Sequence, residues 1–290
     1  MTSHAAYARE IGALLTSLRQ LGYEEGKNIV IHYQFAGGHY DRLPALAAEL
    51  VKLKLDVLLT HSTPGAHAAS QATSTIPIVV MAAADLVSTG LVPSVARPGG
   101  NLTGLTFFFS ELCAKRVELI KEAVPGLRRL GVLVNPGNRS GEIALIAMQR
   151  TARSLRVELL ASDVRAEHEI ADAFAMLISQ GAQALTFVED GLLNSNARYI
   201  AQLATQNRLP MIGEISAMEG GALMAYAADR YDLWFRTAFV VDKILKGMRP
   251  ADLPIDQAVK FELIINLATA KALGVELPTS ILLRASEVIQ

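Results

Sequence analysis

One cysteine, Cys113, is all the chain has, and that scarcity excludes an internal disulfide and a thiolate metal cluster. Net charge is almost absent too: 27 Lys and Arg against 28 Asp and Glu leave a formal −1, so nothing draws the whole molecule to nucleic acid or to an anionic membrane. Long apolar runs are missing; stretches such as residues 76–84 are too short to cross a bilayer. No G-x-G-x-x-G or G-x-x-x-x-G-K-[ST] follows a strand pattern, and no G-x-S-x-G elbow occurs, which removes the common dinucleotide, P-loop and hydrolase signatures. The six histidines contain no H-x-x-x-H pair for a metal. His61 has no nucleophile near it in sequence, so it reads as a polar pocket-lining or surface group rather than a base. Cys113 lies among Leu112, Val117 and Ile120 and reads as a packed small residue.

What is present is core. Of 290 residues 51% are hydrophobic and 19% charged, enough apolar surface for one large domain or two smaller ones. The first 22 residues place Tyr7, Ile11, Leu14, Leu15, Leu18 and Leu21 at helical spacing around Arg9 and Glu10. That is an amphipathic helix and not a signal peptide, so a chain starting at Met1 is expected to stay cytoplasmic. Strand and helix patterns then alternate. Strands are expected at 28–35, 57–59, 76–82, 102–108, 129–134, 157–161, 182–188, 210–213, 222–226 and 261–265. Helices are expected at 41–53, from Pro64, shortly after Gly90, and at 110–124, 140–155, 168–179, 194–207 and 229–245, with a last one ending at Gly274. The pattern runs once before residue 108 and again after it. The expectation is an α/β chain of two doubly wound parallel-sheet lobes.

The stretch around which the rest is arranged is residues 56–66. Val57, Leu58 and Leu59 read as a buried strand; Ser62 or Thr63 caps the following helix, and Pro64 sits at its start. The N–H groups of that helix end and two hydroxyls suit a small anion such as a carboxylate. Other strands of an open parallel sheet end likewise, and ligands bind beyond such ends. The residues expected there are His61, Ser62 and Thr63; Asp85, Ser88 and Thr89; Asn135 and Asn138; Glu189 and Asp190; Gly213 and Glu214; Tyr226 and Asp229. Hydroxyls gather in the first lobe and carboxylates in the second, a pairing that suits a zwitterion.

Six segments, residues 22–29, 41–50, 72–79, 96–105, 241–247 and 266–274, resemble the ABC transporter substrate-binding proteins of the tryptophan/tyrosine-binding (TrpX-like) group, and the likeness runs through the whole chain. The resemblance implies a type I periplasmic-binding-protein fold, with residues 1–105 plus 226–259 as lobe 1 and 106–225 plus 260–290 as lobe 2. A three-segment hinge is implied, with crossings near Gly104, Leu223–Tyr226 and Val259–Glu262. It also implies a small-molecule ligand held in the inter-lobe cleft, a permease partner, a monomer, no nucleic acid, no cofactor or metal and no catalysis, at a periplasmic or membrane-anchored location. Ser62 and Thr63 are expected to hold a carboxylate, Asp85 or Asp190 an ammonium, and Tyr226 to cover the side chain; Thr89, Asn135, Asn138, Glu214 and Asp229 complete the candidate ligand set. The sequence departs from the family in starting at a helix, without a leader or first strand, and in having Ser62 where glycine, and Leu86 where proline, is frequent. Two rivals have other functions: an intracellular sensor of the same fold, which neighbouring genes for a permease and an ATPase would exclude, and a two-lobed sugar-transferring enzyme, which would need a nucleotide site.

Overall fold

The computed structural model describes residues 7–37, 39–84 and 86–290. The chain divides into two compact units, Met1–Phe108 with Asp229–Lys260 and Phe109–Ala228 with Phe261–Gln290, and it passes between them three times.

In the first unit, strands β1 (Leu58–Thr60), β2 (Ile78–Ala83), β3 (Leu102–Thr106) and β9 (Asp256–Gln257) form a parallel sheet in the order β1-β2-β3-β9. All six residues of β2 are buried, as a strand covered on both faces requires. Helices α2 (Leu43–Lys52) and α3 (Thr63–Ala72) pack together, and α3 lies against β2. Helix α9 (Arg230–Leu245) also packs on β2 and β3, and α1 (Ala8–Gln20) packs on α9. The core joins Leu58, Ala66, Ile78, Val80, Leu102 and Ile255.

Two expected elements of this unit do not form. Residues 30–36 are irregular, and only an isolated Glu25–Ile29 bridge marks the expected strand at 28–35. No strand among the described residues lies beside that segment, and Val30 is left 75% exposed; alternating apolar residues without a sheet to join have nothing to cover. The helix expected after Gly90 is a run of turns and bends, because Leu86 and Val92 enter the core through local turns that Gly90, with φ +76°, permits.

In the second unit, β4 (Arg129–Val134) pairs in parallel with β5 (Glu158–Asp163) and β6 (Ala184–Phe187). A bridge from Leu185 to Met211 continues this sheet towards a second one, β7 (Ile212–Gly213), β8 (Met224–Ala228), β10 (Phe261–Asn266) and β11 (Glu287–Ile289). The β8–β10 pair is antiparallel, an exception to the parallel arrangement, because the two strands run through the unit in opposite senses. The pattern at 194–207 divides into α7 (Gly191–Ser195) and α8 (Ala197–Gln206), and α7 begins earlier than the spacing suggests because Asp190 caps it. The remaining helices of this unit are α4 (Phe109–Ala123), α5 (Arg139–Ser154), α6 (Ile170–Ser179), α10 (Leu267–Leu273) and α11 (Thr279–Leu282). Strands β9 and β11 had no period-2 signature, being two and three residues long.

Gly104 in β3 has φ +138°, and a Cβ there would fall within the backbone of Val80 on the neighbouring strand. Gly104→Ala is expected to cost about 3 kcal/mol or more in urea or thermal unfolding, since backbone cannot yield as a flexible side chain can.

Candidate functional site

In the first unit the polar residues follow the strands directly. Ser62 N–H donates to the Ala82 carbonyl at 2.8 Å, tying the end of β1 to that of β2. The Ser62 hydroxyl caps α3 by accepting from Gly65 N–H at 3.5 Å, and Thr63 and Pro64 occupy the first two helical positions. Thr63 is buried, and its hydroxyl oxygen accepts from Ala84 N–H at 3.2 Å. The Thr106 hydroxyl, at the end of β3, donates to the Ala83 and Ala84 carbonyls at 2.9 and 3.0 Å. Three strand ends are thus bound into one polar edge by side chains. Thr89 is buried in the turns that follow β2. Asp85, expected at this edge, lies outside the described residues.

Ser62 pays for its place in backbone conformation. At φ +71° and ψ 157° it occupies a region that glycine alone visits readily. His61, expected as a polar pocket-lining or surface group, is partly exposed. Its ring packs against Tyr7 edge-on at 5.0 Å and against Trp234 at 6.0 Å. Burial, together with the Arg230 guanidinium, holds its pKa down at about 3, so it is a neutral packing group at neutral pH. Asp229 accepts from Asp232 N–H at 3.0 Å and caps α9.

The second unit carries a denser set. Asp190, 5% exposed, accepts from Leu192 and Leu193 N–H at 2.8 and 3.1 Å through one carboxylate oxygen. Its other oxygen accepts from the Asn135 amide at 3.1 Å. Asn135 in turn accepts from Gly137 N–H at 2.9 Å, so the ends of β4 and β6 are joined through two side chains. Glu214, also buried, accepts from the Ser216 hydroxyl. Asn138 caps α5 and accepts from the Ser140 hydroxyl at 2.9 Å. Tyr226, half-buried in β8, stacks on Phe261 at 6.0 Å, and burial raises its phenol pKa. Among the candidates Asn135 and Asp190 bond directly to one another, while Asn138 and Asp229 are occupied as helix caps.

Arg116 on α4 was not among the candidates. It is completely buried, forms an ion pair with Glu189, and donates from Nε to the Tyr226 carbonyl at 2.8 Å. Its sequence signal was an arginine within the apolar stripe of Leu112, Cys113, Val117 and Ile120. Cys113, in the same stripe, is inert: burial, opposed in part by Arg116, pushes its thiol up to about 12. Among the described residues no group of three His, Cys, Asp or Glu could hold a metal ion, and no helix is long and apolar enough to cross a membrane.

Two outcomes follow from the first unit's edge. Ser62→Gly is expected to raise the unfolding free energy by on the order of 1 kcal/mol, as relief of strain outweighs a small capping loss and the added chain entropy. His61, with a folded pKa below its unfolded value of about 6.5, stabilises fully above that value. Stability is then lost as pH falls from there towards 3, by at most about 1.4 kcal/mol per pH unit. Urea titrations between pH 7 and 4.5 should show this loss, and His61→Gln should flatten it.

Comparison with known proteins now bears on these two edges. A family model described as "ABC transporter substrate binding protein" matches residues 1–289. The tyrosine-binding protein of Clostridioides difficile (strain R20291) is 28% identical over 277 residues, covering 95% of this chain and 79% of that protein. A crystal structure of a conserved domain protein from Vibrio cholerae is 31% identical with a TM-score of 0.93, covering 99% of this chain and 97% of that one. An ABC domain in complex with L-Trp from Streptococcus pneumonia has the same fold, with 24% identity, a TM-score of 0.90 and coverage of 99% and 97%. The fold is that of type I periplasmic binding proteins, shared by sugar-binding proteins of 10 to 12% identity. A model match over almost every residue, on a fold whose strand ends carry the polar groups, establishes that the chain belongs to the ABC transporter substrate-binding protein family.

Proposed function

We propose that this solute-binding component of an ABC importer takes an amino acid with an aromatic or branched side chain. The observation that carries the reading is the division of polar groups between the units. Hydroxyls and the N-terminus of α3 collect at one edge, and buried carboxylates at the other. Ser62, Thr63 and Thr89 serve the α-carboxylate. Asp190 and Glu214, with Asn135, serve the α-ammonium, and Asp85 belongs to the same set. Tyr226 supplies an aromatic surface for the side chain. Asn138 and Asp229 act through the helices they cap. The tyrosine-binding relative supports the choice of an aromatic amino acid.

The polar groups in this reading hold the ligand's charges or support those that do, and none attacks it, so the solute is released unchanged. The protein acts as a single copy that delivers its solute to a permease, outside the cytoplasm or anchored at the membrane as its family is, and it has no nucleic-acid partner. Calorimetry against L-tyrosine, L-tryptophan and L-leucine is expected to give a Kd below millimolar for at least one. Failure of all three removes the amino-acid assignment. Thr63→Ala should weaken the bound amino acid by roughly 1–3 kcal/mol, the value of a hydrogen bond to a charged group; unchanged affinity would take Thr63 out of the site.

A further inference from the structure

We infer that Arg116 is the positioning residue for the second unit's edge, fixing Glu189–Asp190 and Tyr226 in one arrangement through a single buried guanidinium. The sheet itself leaves these two places unconnected. Strand β7 separates β6 from β8 and ends at Gly213, which pairs with Ala225. Glu189 follows the end of β6, and Tyr226 follows the last residue of β8 that β7 reaches. Beyond Gly213 no backbone ladder among the described residues joins the two. Arg116 does so from α4, with Nη2 on the Glu189 carboxylate and Nε on the Tyr226 carbonyl. A planar guanidinium sets both partners at fixed distance and angle, which a lysine could not do.

Stability alone does not account for this arrangement. The side chain is 0% exposed, and Nη1 has no hydrogen-bond acceptor among the described residues. A buried charge with an unmet donor is poor economy for a fold, and apolar replacement of such pairs is frequently neutral or stabilising. What the guanidinium supplies is alignment. Glu189 immediately precedes Asp190, so holding it restrains the carboxylate that caps α7 and bonds to Asn135. Holding the Tyr226 carbonyl restrains the residue whose ring is half-buried beside Phe261.

The test uses amide hydrogen exchange on the ligand-free full chain, with L-tyrosine titration alongside. In Arg116→Met, the amides of Leu192 and Leu193, which donate to Asp190, and those around Tyr226 are expected to exchange at least tenfold faster. Exchange in β4 and β5 should stay at the parent's rates. Unchanged protection at the edge, or loss spread evenly over the unit, overturns the inference. In Arg116→Met with Glu189→Gln, recovered protection would show that charge balance and not bridging was at work, and would also overturn it. Should Arg116→Met fail to fold, Arg116→Lys, which keeps the charge and reaches one partner, is expected to loosen one of the two places and leave the other protected; parent-like protection at both overturns the inference. The titration rests on the amino-acid reading: if the parent binds L-tyrosine, Arg116→Met should raise Kd at least tenfold, and an equal Kd overturns the role. A parent that binds none of L-tyrosine, L-tryptophan and L-leucine counts against that reading, and whichever of them binds, the exchange result still decides Arg116.

Discussion

A parallel strand covered on both faces favours apolar side chains along its length, so polar groups gather where it stops. That constraint organises both units of this protein. Strand β2 is buried along its whole length, and β4 along all but its first residue, so neither offers a place for a hydroxyl or carboxylate in mid-strand that helices do not cover. Beyond the last paired residue the backbone N–H and C=O groups lose their partners, and side chains take over: Thr63 and Thr106 around Ala83 and Ala84, and Asn135 and Asp190 across the ends of β4 and β6. The groups proposed to hold a solute are therefore the same groups that finish the sheet.

This dual use separates the candidate residues by what they have left to offer. The Asn138 amide oxygen and one carboxylate oxygen of Asp229 go to helix N-termini, where a capping contact is sufficient reason for their identity. Asp190 also caps a helix, but its second oxygen faces the Asn135 amide in a buried setting, where charge interactions are strong. Ser62 is different again. Its hydroxyl contact with Gly65 is long, and its backbone sits where glycine would be at ease, so capping is weak justification for a serine there. Strain kept at a strand end is the kind of cost that persists at binding positions.

Much of the fold could be read from periodicity. Apolar runs at 78–83 and 129–134 are too short for helices and became parallel strands; the stripe through Ile11, Leu14 and Leu18 became the buried face of α1. The failures have a common cause. Residues 28–35 alternate as a strand does, yet a strand exists only with a neighbour, and none of the described strands lies beside them. Strands β9 and β11 have hardly any pattern and form because β3 and β10 present edges to pair with. His61 follows β1, but it is the packing of Tyr7 and Trp234 that decides its ring's surroundings.

The sequence by itself determined which residues stand at strand ends, because burial forces apolar runs and the polar residues after them mark where each run stops. It also carried the family likeness, since turns such as Arg97-Pro98-Gly99-Gly100-Asn101 are local chemistry. Only the tertiary structure decided how those polar residues are used. Arg116 lies 73 positions from Glu189 and 110 from Tyr226, and nothing local to the three foretells that one guanidinium joins them. Contacts made across such separations depend on where the sheet brings its strands, and local periodicity has no access to that.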